Sequence, residues 1–303
     1  MATPQLHDVY PARFNSFTLN QVDNQSFSPG LQALIAQAGG SIDPGLDAIA
    51  EQDNRWKFSS RDVQTILTNV SLAAGLEITS GAKMQFQRRA NAGVFASGSA
   101  HFVLTSTVGL LFVEEFGFEQ SSKEGGDLSA QYVALYDGSN EPTVVNVSQA
   151  LVGSPAVNAV HGLGPVVIEG AQLEGVKKWR CKTGIEVMVE AADGEGASRV
   201  VVIGKRMQTL EIEALNMTFL STASIGVKRA ISSGITAYAQ KVLAGGHHVS
   251  WGSAAHIAAT ISQGTYTVEE ISGSKGQNAN VKITALATNN NLSLNPATTI
   301  TLP

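Results

Sequence analysis

The sequence predicts a mainly β protein built from two tandem homologous β-sandwich or barrel domains, each with about one helix. Three observations support this fold class: short apolar runs between glycines and turn residues, few charged side chains, and an internal repeat. Charged residues make up 15% of the 303 residues, whereas 43% are hydrophobic. Much of the polarity therefore comes from neutral side chains, which suit the pleated, half-buried surface of a strand.

The internal repeat aligns the first half of the chain with the second. His101 and His256 follow similar small-residue segments and lie 155 residues apart (256 − 101), while Gly30 and Gly184 lie 154 apart (184 − 30). Near the end of each half, Ala134-Leu135 is aligned with Ala285-Leu286. Because such colinear matches cover most of the chain, they predict a duplicated unit. The predicted domains are residues 1–155 and 156–303.

The first part of each repeat is expected to contain strands and a helix. Ser59 or Ser60 is predicted to cap a helix, because apolar residues follow at helical spacing. The corresponding segment, residues 209–220, begins with alternating apolar residues, and its sequence leaves strand and helix both open. Further strands are predicted at 166–170, 185–191 and 199–203.

The second part of each repeat is predicted to be a β-meander. The turn after its last strand in the first repeat is Asp137-Gly138, a pair typical of hairpin turns because glycine tolerates a positive φ. The predicted strands are 84–89, 101–107, 110–118 and 128–136 in the first repeat, and 235–242, 256–261, 265–272 and 280–288 in the second.

Composition and cysteine content argue against several classes of protein. The formal net charge of −5 does not favour binding to a nucleic-acid backbone. The single cysteine, Cys181, excludes an intramolecular disulfide and a cysteine-rich zinc site. We recognise neither a secretory signal nor an apolar run of the ~20 residues that a membrane helix needs. We therefore expect a protein made in a cytoplasm and without membrane contact.

The histidines and the paired acids are the only candidates for catalysis or metal binding. His247, His248 and His256 lie close in sequence, but only the last has a histidine counterpart in the other repeat, so we expect no metal site and leave metal binding by this cluster open. Two adjacent glutamates on a strand point to opposite faces and do not flank one bond, as glycosidase carboxylates must. We expect no catalytic residue, no cofactor and no enzyme activity.

The recurring acids and the small basic clusters are instead predicted to make contacts between subunits. The acidic pairs occupy the same place in both repeats, which favours a structural or interface role. The candidate intersubunit residues are Glu114, Glu115, Glu269, Glu270, Arg88, Arg89, Lys177, Lys178 and Arg180.

The pattern resembles virion structural proteins, in particular the duplicated-domain tail tube proteins of tailed bacteriophages. The resemblance lies in segments 30–49 and 184–203, the candidate helix after Ser60, and the two meanders that end near Asp137-Gly138 and Asn289-Asn290. It implies sheets paired around a ring, and three chains per ring because each chain supplies two units. Stacked rings would form a tube in the virion tail, assembled in the host cytoplasm, with other virion proteins as partners.

DNA would then be a non-specific cargo of the tube, which an acidic wall repels rather than captures. Three alternatives remain open: another virion component, such as a decoration, adaptor or baseplate protein; a tandem carbohydrate-binding β-sandwich module; and an enzyme, which is disfavoured because no nucleophile–base pair or ligand set is evident. The second would expose aromatic platforms, for which Trp56, Trp179 and Trp251 are the candidates.

Overall fold

The structure, a computed structural model, describes residues 6–36, 39, 46–91, 94–120, 125–157, 159–191, 195–215, 225–242, 256–273, 275, 279–289 and 291–296. It is mainly β, as the sequence predicts, and the described residues include one helix. The elements of the first half are β1 (His7–Phe14), β2 (Phe17–Leu19), β3 (Val22–Ser28), β4 (Leu31–Ala36), β5 (Leu46–Gln52), β6 (Arg55–Ser60), α1 (Val63–Asn69), β7 (Leu76–Ile78), β8 (Ala82–Asn91), β9 (Val94–Phe95), β10 (His101–Ser106), β11 (Val108–Glu119), β12 (Asp127–Leu135) and β13 (Val144–Gln149).

The second half contains only strands among its described residues. They are β14 (Val160–Ile168), β15 (Ala171–Leu173), β16 (Val176–Lys182), β17 (Glu186–Ala191), β18 (Ser198–Lys205), β19 (Thr209–Ala214), β20 (Arg229–Ile231), β21 (Ile235–Val242), β22 (Ile257–Ile261), β23 (Gly264–Ser272), β24 (Asn280–Ala287) and β25 (Leu292–Pro296).

The strands of the two halves follow the same neighbour order. One sheet of the first half runs β13-β10-β8-β1-β2, and one sheet of the second half runs β25-β22-β21-β14-β15. The other sheet of the first half runs β11-β12-β6-β3, and β7 pairs with β11 on the side away from β12. The other sheet of the second half runs β20-β23-β24-β19-β16. Pairing between β11 and β16 joins these last two into one ten-stranded antiparallel sheet. Homology of the halves and their division at residue 155 stay predictions.

Positions in the two halves can be matched through these pairings, and we call such positions equivalent. The amide of Ala134 donates to the carbonyl of Asn54, and the amide of Ala287 donates to that of Gln208, each over 2.9 Å. Ala134 is therefore equivalent to Ala287, and its expected alignment with Ala285 is wrong by two residues. The error arose because alternating strands look alike when they are shifted by two.

Both halves bury their cores between two facing sheets. In the first half this core is aromatic: Trp56 packs on Tyr132 with ring centroids 5.0 Å apart, and Phe14 packs edge-on against Phe58 at 5.2 Å. In the second half it is mainly aliphatic, with Ile168, Ile235 and Ile283 among its fully buried residues. Burying each such side chain contributes about 1.5–3 kcal/mol.

The predicted helix is present as α1, but its cap differs from the expected one. Asp62 is the N-cap, and its carboxylate accepts the amide of Thr65. The expectation of Ser59 or Ser60 is wrong because both residues belong to strand β6. Ser60 instead accepts the amide of Asp62 through its hydroxyl, over 3.0 Å, and so supports the capping residue.

The described residues of segment 209–220 begin with a strand. Its first residues form β19, which pairs with β16 and β24 as β6 pairs with β3 and β12. Strand β19 is therefore equivalent to β6, and not to α1. Residues 216–224, which follow β19 as α1 follows β6, lie outside the described residues.

The predicted β-meander is wrong, because the chain crosses from one sheet to the other within each predicted meander. The strand pairs β8-β10 and β11-β12 lie in different sheets, and β13 returns to the first. The Asp137-Gly138 turn accordingly does not close a hairpin. The Asp137 carboxylate accepts the amides of Ser139 and Asn140 over 2.8 and 2.6 Å, a local turn that leads the chain to the opposite sheet.

Candidate interface: the sheet junction

The most extensive contact between the halves is the antiparallel pairing of β11 with β16. Its register places Phe116 opposite Cys181 and Phe118 opposite Trp179. Between these two pairs, Gly117 lies opposite Arg180 and keeps the strands close, because a Cβ there would meet the carbonyl oxygen of Trp179 at 2.9 Å. Strand β16 thereby extends the sheet of the first half without a break.

Apolar side chains fill the inner side of this junction. Trp179 is fully buried, with ring centroids 4.9 Å from Phe118 and 5.8 Å from Phe116. Its indole Nε1 donates to the carbonyl oxygen of Tyr238 on the facing sheet, over 3.0 Å. Cys181 is also fully buried, and burial raises the pKa of its thiol. The cysteine is therefore part of the core and is held in its protonated form.

An ion-pair cluster covers the outer side of the junction. The Arg180 guanidinium donates to Glu115 from Nη1 and to Asp127 from Nη2, the latter over 2.8 Å. Partial burial lowers the pKa of Arg180, but the carboxylates of Asp127 and Glu115 more than offset this, and the net pKa is raised. Glu115 and Arg180 thus pair within one chain. Whether they also contact another subunit, as the sequence predicts, stays a prediction.

The recurring acidic pairs mark a β-bulge that occurs in both halves. The register between β11 and β12 shifts between Val113 and Glu115, which leaves Glu114 as the extra residue. The pairing of β23 with β24 shifts in the same way and leaves Glu269 as the extra residue. A bulge re-aims side chains and bends its strand. The recurrence seen in the sequence therefore reflects a shared backbone feature.

Each bulge glutamate contacts the equivalent position of the neighbouring strand. Glu114 accepts the hydroxyl of Ser129 over 2.6 Å, and Glu269 pairs with the ammonium of Lys282 over 3.2 Å. The hydrogen bond and charge of Glu269 raise the pKa of Lys282. Glu270, next to this pair, lies on the exposed second half of β23.

The hairpin β17-β18 covers the outer face of the first half. Val187, Val189 and Ile203 pack against a small buried cluster on β11 and β12 that contains Leu110 and Phe112. Strand pairing and hairpin packing therefore hold the two halves together on separate surfaces.

The other predicted interface residues are distributed over two places. Lys177 and Lys178 lie on β16, where the ammonium of Lys177 donates to Asn280 over 2.7 Å. Arg88 and Arg89 lie on β8, in the other sheet, and Arg89 forms an ion pair with Asp8. The structure therefore does not bring the basic residues together as one patch.

The histidines occupy equivalent structural positions. His101 accepts the amide of Arg88 through Nδ1, and His256 accepts that of Lys241, each over 3.1 Å. Burial lowers the pKa of His101, and the charge of His7 lowers it further. His247 and His248 lie outside the described residues. Within the described part of the chain, no three His, Cys, Asp or Glu side chains are grouped closely enough to hold a metal ion.

The large sheet ends in two edges that sequence reasoning did not single out. One is β3, the last strand of the sheet. At the other end, β20 pairs with the first half of β23 and leaves an edge along its second half, where Glu270, Ile271 and Ser272 are exposed. Phe27 on β3 was missed because the matched segment was started at Gly30.

Two of the three tryptophans considered as sugar-binding platforms are core residues. Trp56 and Trp179 are fully buried, so neither presents an exposed ring. Trp251 lies outside the described residues.

Comparison with protein-family models and with curated proteins gave no match to this chain. Within the part of the chain that the structure describes, no helix has the length and apolarity needed to cross a membrane.

Proposed function

We propose that the protein is a non-enzymatic structural protein that assembles head to tail by repeating, between copies, the sheet junction found within one chain. The observation that carries this proposal is the place of four strands in the large sheet. Strands β11 and β16 are paired, whereas their equivalents are β3, the last strand at one end of the described sheet, and β23, whose first half pairs with β20 and whose second half is exposed.

Unpaired backbone groups on an open edge favour the addition of another strand. Here the two edges differ. The β23 edge has the pairing register of β11, and the β3 edge has the pairing register of β16. A contact between unlike edges is heterologous, so its repetition gives a closed ring or a helical filament. We propose the ring, because one internal and one external junction per chain would then alternate around a closed sheet.

The resemblance to duplicated-domain tail tube proteins supports a more specific form of the proposal. Three chains would supply six similar units to a ring, and stacked rings would form the tail tube of a bacteriophage virion. The lumen would conduct DNA without binding it specifically, in keeping with a net charge of −5. Other virion proteins would attach at the ends of the tube.

Light scattering after size-exclusion chromatography, together with electron microscopy of the purified protein, tests the proposal. We expect a mass of three chains or a multiple of it, and hollow cylinders that lengthen with protein concentration. Flat rings that never stack would instead favour another virion component, such as an adaptor. A monomer at every concentration would contradict both the edge pairing and the virion role.

A further inference from the structure

We propose that a second copy of the chain docks on the exposed second half of β23 in one defined register, with its Phe27 opposite Ile271. This inference rests on the proposed function and specifies the partner residues at its interface. It is derived from two register shifts that recur in the halves of the molecule.

The first register shift fixes the position on β23. The pairing of β11 with β12 shifts between Val113 and Glu115, and that of β23 with β24 shifts between Val268 and Glu270. Glu270 is therefore equivalent to Glu115, and the next residue, Ile271, is equivalent to Phe116, which faces β16.

The second shift fixes the position on β3. The pairing of β16 with β19 shifts between Val176 and Lys178, and that of β3 with β6 shifts between Val22 and Asn24. Phe27 lies three residues after Asn24, and Cys181 lies three residues after Lys178. Phe27 is therefore equivalent to Cys181.

A hydrogen bond between the sheets supports this second alignment independently. Trp179 donates from its side chain to the carbonyl of Tyr238, and Gln25 donates from its side chain to that of Gln85. Tyr238 and Gln85 are equivalent positions on β21 and β8, since each lies three residues after the first residue of its strand. Gln25 therefore occupies the place of Trp179, and Phe27 that of Cys181.

The exposures of the matched residues differ as the proposal requires. Phe116 and Cys181 face each other in the internal junction and are 1% and 0% exposed. Ile271 is 37% exposed, and Phe27 is half-buried at the sheet edge. Pairing of β23 with β3 of a second copy would cover both apolar side chains and complete the backbone hydrogen bonding of both edges.

The junction between copies would lack the charged cluster of the internal one. Arg180 contacts Glu115 and Asp127, and the equivalent residues are Ser26, Glu270 and Asn280. A serine in place of the arginine leaves an apolar pair and backbone hydrogen bonds as the main contacts. Assembly should therefore depend little on salt, because screening acts on charges.

Substitution of Ser26 tests this register without disturbing the core, since Ser26 is an exposed residue on an edge strand. Ser26→Arg brings a cation beside Glu270 of the neighbouring copy, and Ser26→Glu brings a like charge to the same place. We expect the dissociation constant of the assembly to fall about threefold to tenfold for the first variant and to rise by a similar factor for the second. High salt should reduce both effects.

A cysteine pair provides a second measurement. Phe27→Cys with Ile271→Cys should give covalent multimers on mild oxidation, seen on a non-reducing gel. The matched control, Ser26→Cys with Ile271→Cys, places the two thiols on opposite faces of the sheet and should give few. The two Ser26 variants and the two cysteine pairs all retain Cys181, which is buried.

The outcomes separate the register from the proposed function. If the wild-type protein assembles, but the Ser26 variants leave its dissociation constant unchanged and the control pair cross-links as well as the test pair, the register is wrong and assembly stands. If the wild-type protein remains a monomer, both proposals fail.

Discussion

The second halves of β11 and β23 share a backbone register but have different surroundings. Both follow a bulge with an extra glutamate. After the bulge, Phe116, Gly117 and Phe118 are buried beneath β16 and the facing sheet, whereas Ile271 and Ser272 are exposed. The same strand geometry thus serves as an internal strand in one half and as an edge in the other. Burial here is decided by the neighbouring strand, and not by the local fold.

The side chains at these two places agree with that difference. A permanent internal junction tolerates two phenylalanines because they never meet water. Under the proposed assembly, the β23 edge would be exposed before it pairs, and one aliphatic residue among polar ones suits such an edge, since long apolar edges promote uncontrolled aggregation. The sequences of β11 and β23 therefore suit a fixed contact and a contact made on assembly.

The largest expected effect comes from Trp179 on β16, because the equivalent residue on β3 is Gln25, which has no indole ring. Trp179→Ala should lower the free energy of unfolding by about 3–5 kcal/mol, because it leaves a large cavity beside Phe116 and Phe118. Gln25→Ala, the matched control at the equivalent position, should cost only about 1 kcal/mol through the loss of one hydrogen bond. Urea unfolding followed by circular dichroism measures both. Equal losses would contradict the expected difference in packing between the Trp179 indole on β16 and the Gln25 side chain on the edge strand β3.

Strand positions could be predicted from the sequence more reliably than the partners of the strands. Alternation along Val281 to Ala285 tells which side chains are buried, but it does not tell which strand lies beside them. The crossing from β10 to β11 takes only Thr107, too short a segment to carry a recognisable signal for a change of sheet. The meander was therefore a reasonable but wrong interpretation of correctly placed strands.

The sequence singled out Glu115 and Arg180 of the sheet junction but not the strand pairing that joins them, and their predicted contacts between subunits stay predictions. The repeated glutamates were expected to have a structural or interface role, yet the bulge that they mark depends on pairing with β12 and β24. Arg180 was singled out, but its partner Asp127 lies 53 residues away in sequence, and only the sheet brings them together. The expected helix cap, Ser59 or Ser60, lies three or two residues before the observed one, Asp62, because strand β6 continues through Ser60.

A smaller effect, expected to be the same in both halves, comes from Gly30 and Gly184. Both adopt left-handed backbone conformations, with φ of +53° and +57°, and a Cβ would lie 2.4 and 2.5 Å from the carbonyl oxygens of Asp53 and Met207. Alanine at either position should therefore cost about 1–3 kcal/mol. Gly98→Ala is a useful control, because Gly98 is also left-handed but a Cβ there would meet no atom within 4 Å.

Urea unfolding of the three alanine variants checks this comparison. We expect Gly30→Ala and Gly184→Ala to shift the unfolding midpoint by similar amounts, each more than Gly98→Ala. A large shift for only one of the first two would show that the halves do not share this turn constraint.

The smallest expected effect is a difference in pH dependence between two equivalent turns. In the first half, Asn15 accepts the amides of Thr79 and Ser80 over 3.1 and 2.9 Å. In the second half, Glu169 accepts the amides of Ser232 and Ser233 over 2.9 and 3.0 Å. Only the second turn contains a carboxylate, that of Glu169, which can be protonated as the pH falls.

Partial burial raises the pKa of Glu169, but the hydrogen bonds from Ser232 and Ser233 outweigh it and leave the pKa lowered. Because the folded-state pKa is lowered, the carboxylate stabilises the fold above the unfolded-state pKa of about 4.3, and this contribution is lost as the pH falls through the folded-state value. Glu169→Asn should therefore lose less thermal stability than the wild-type protein between about pH 6 and about pH 3. Asn15→Glu, the reverse exchange, should lose more. Parallel pH profiles for all three proteins would show that the acid in this turn contributes no pH-dependent stability.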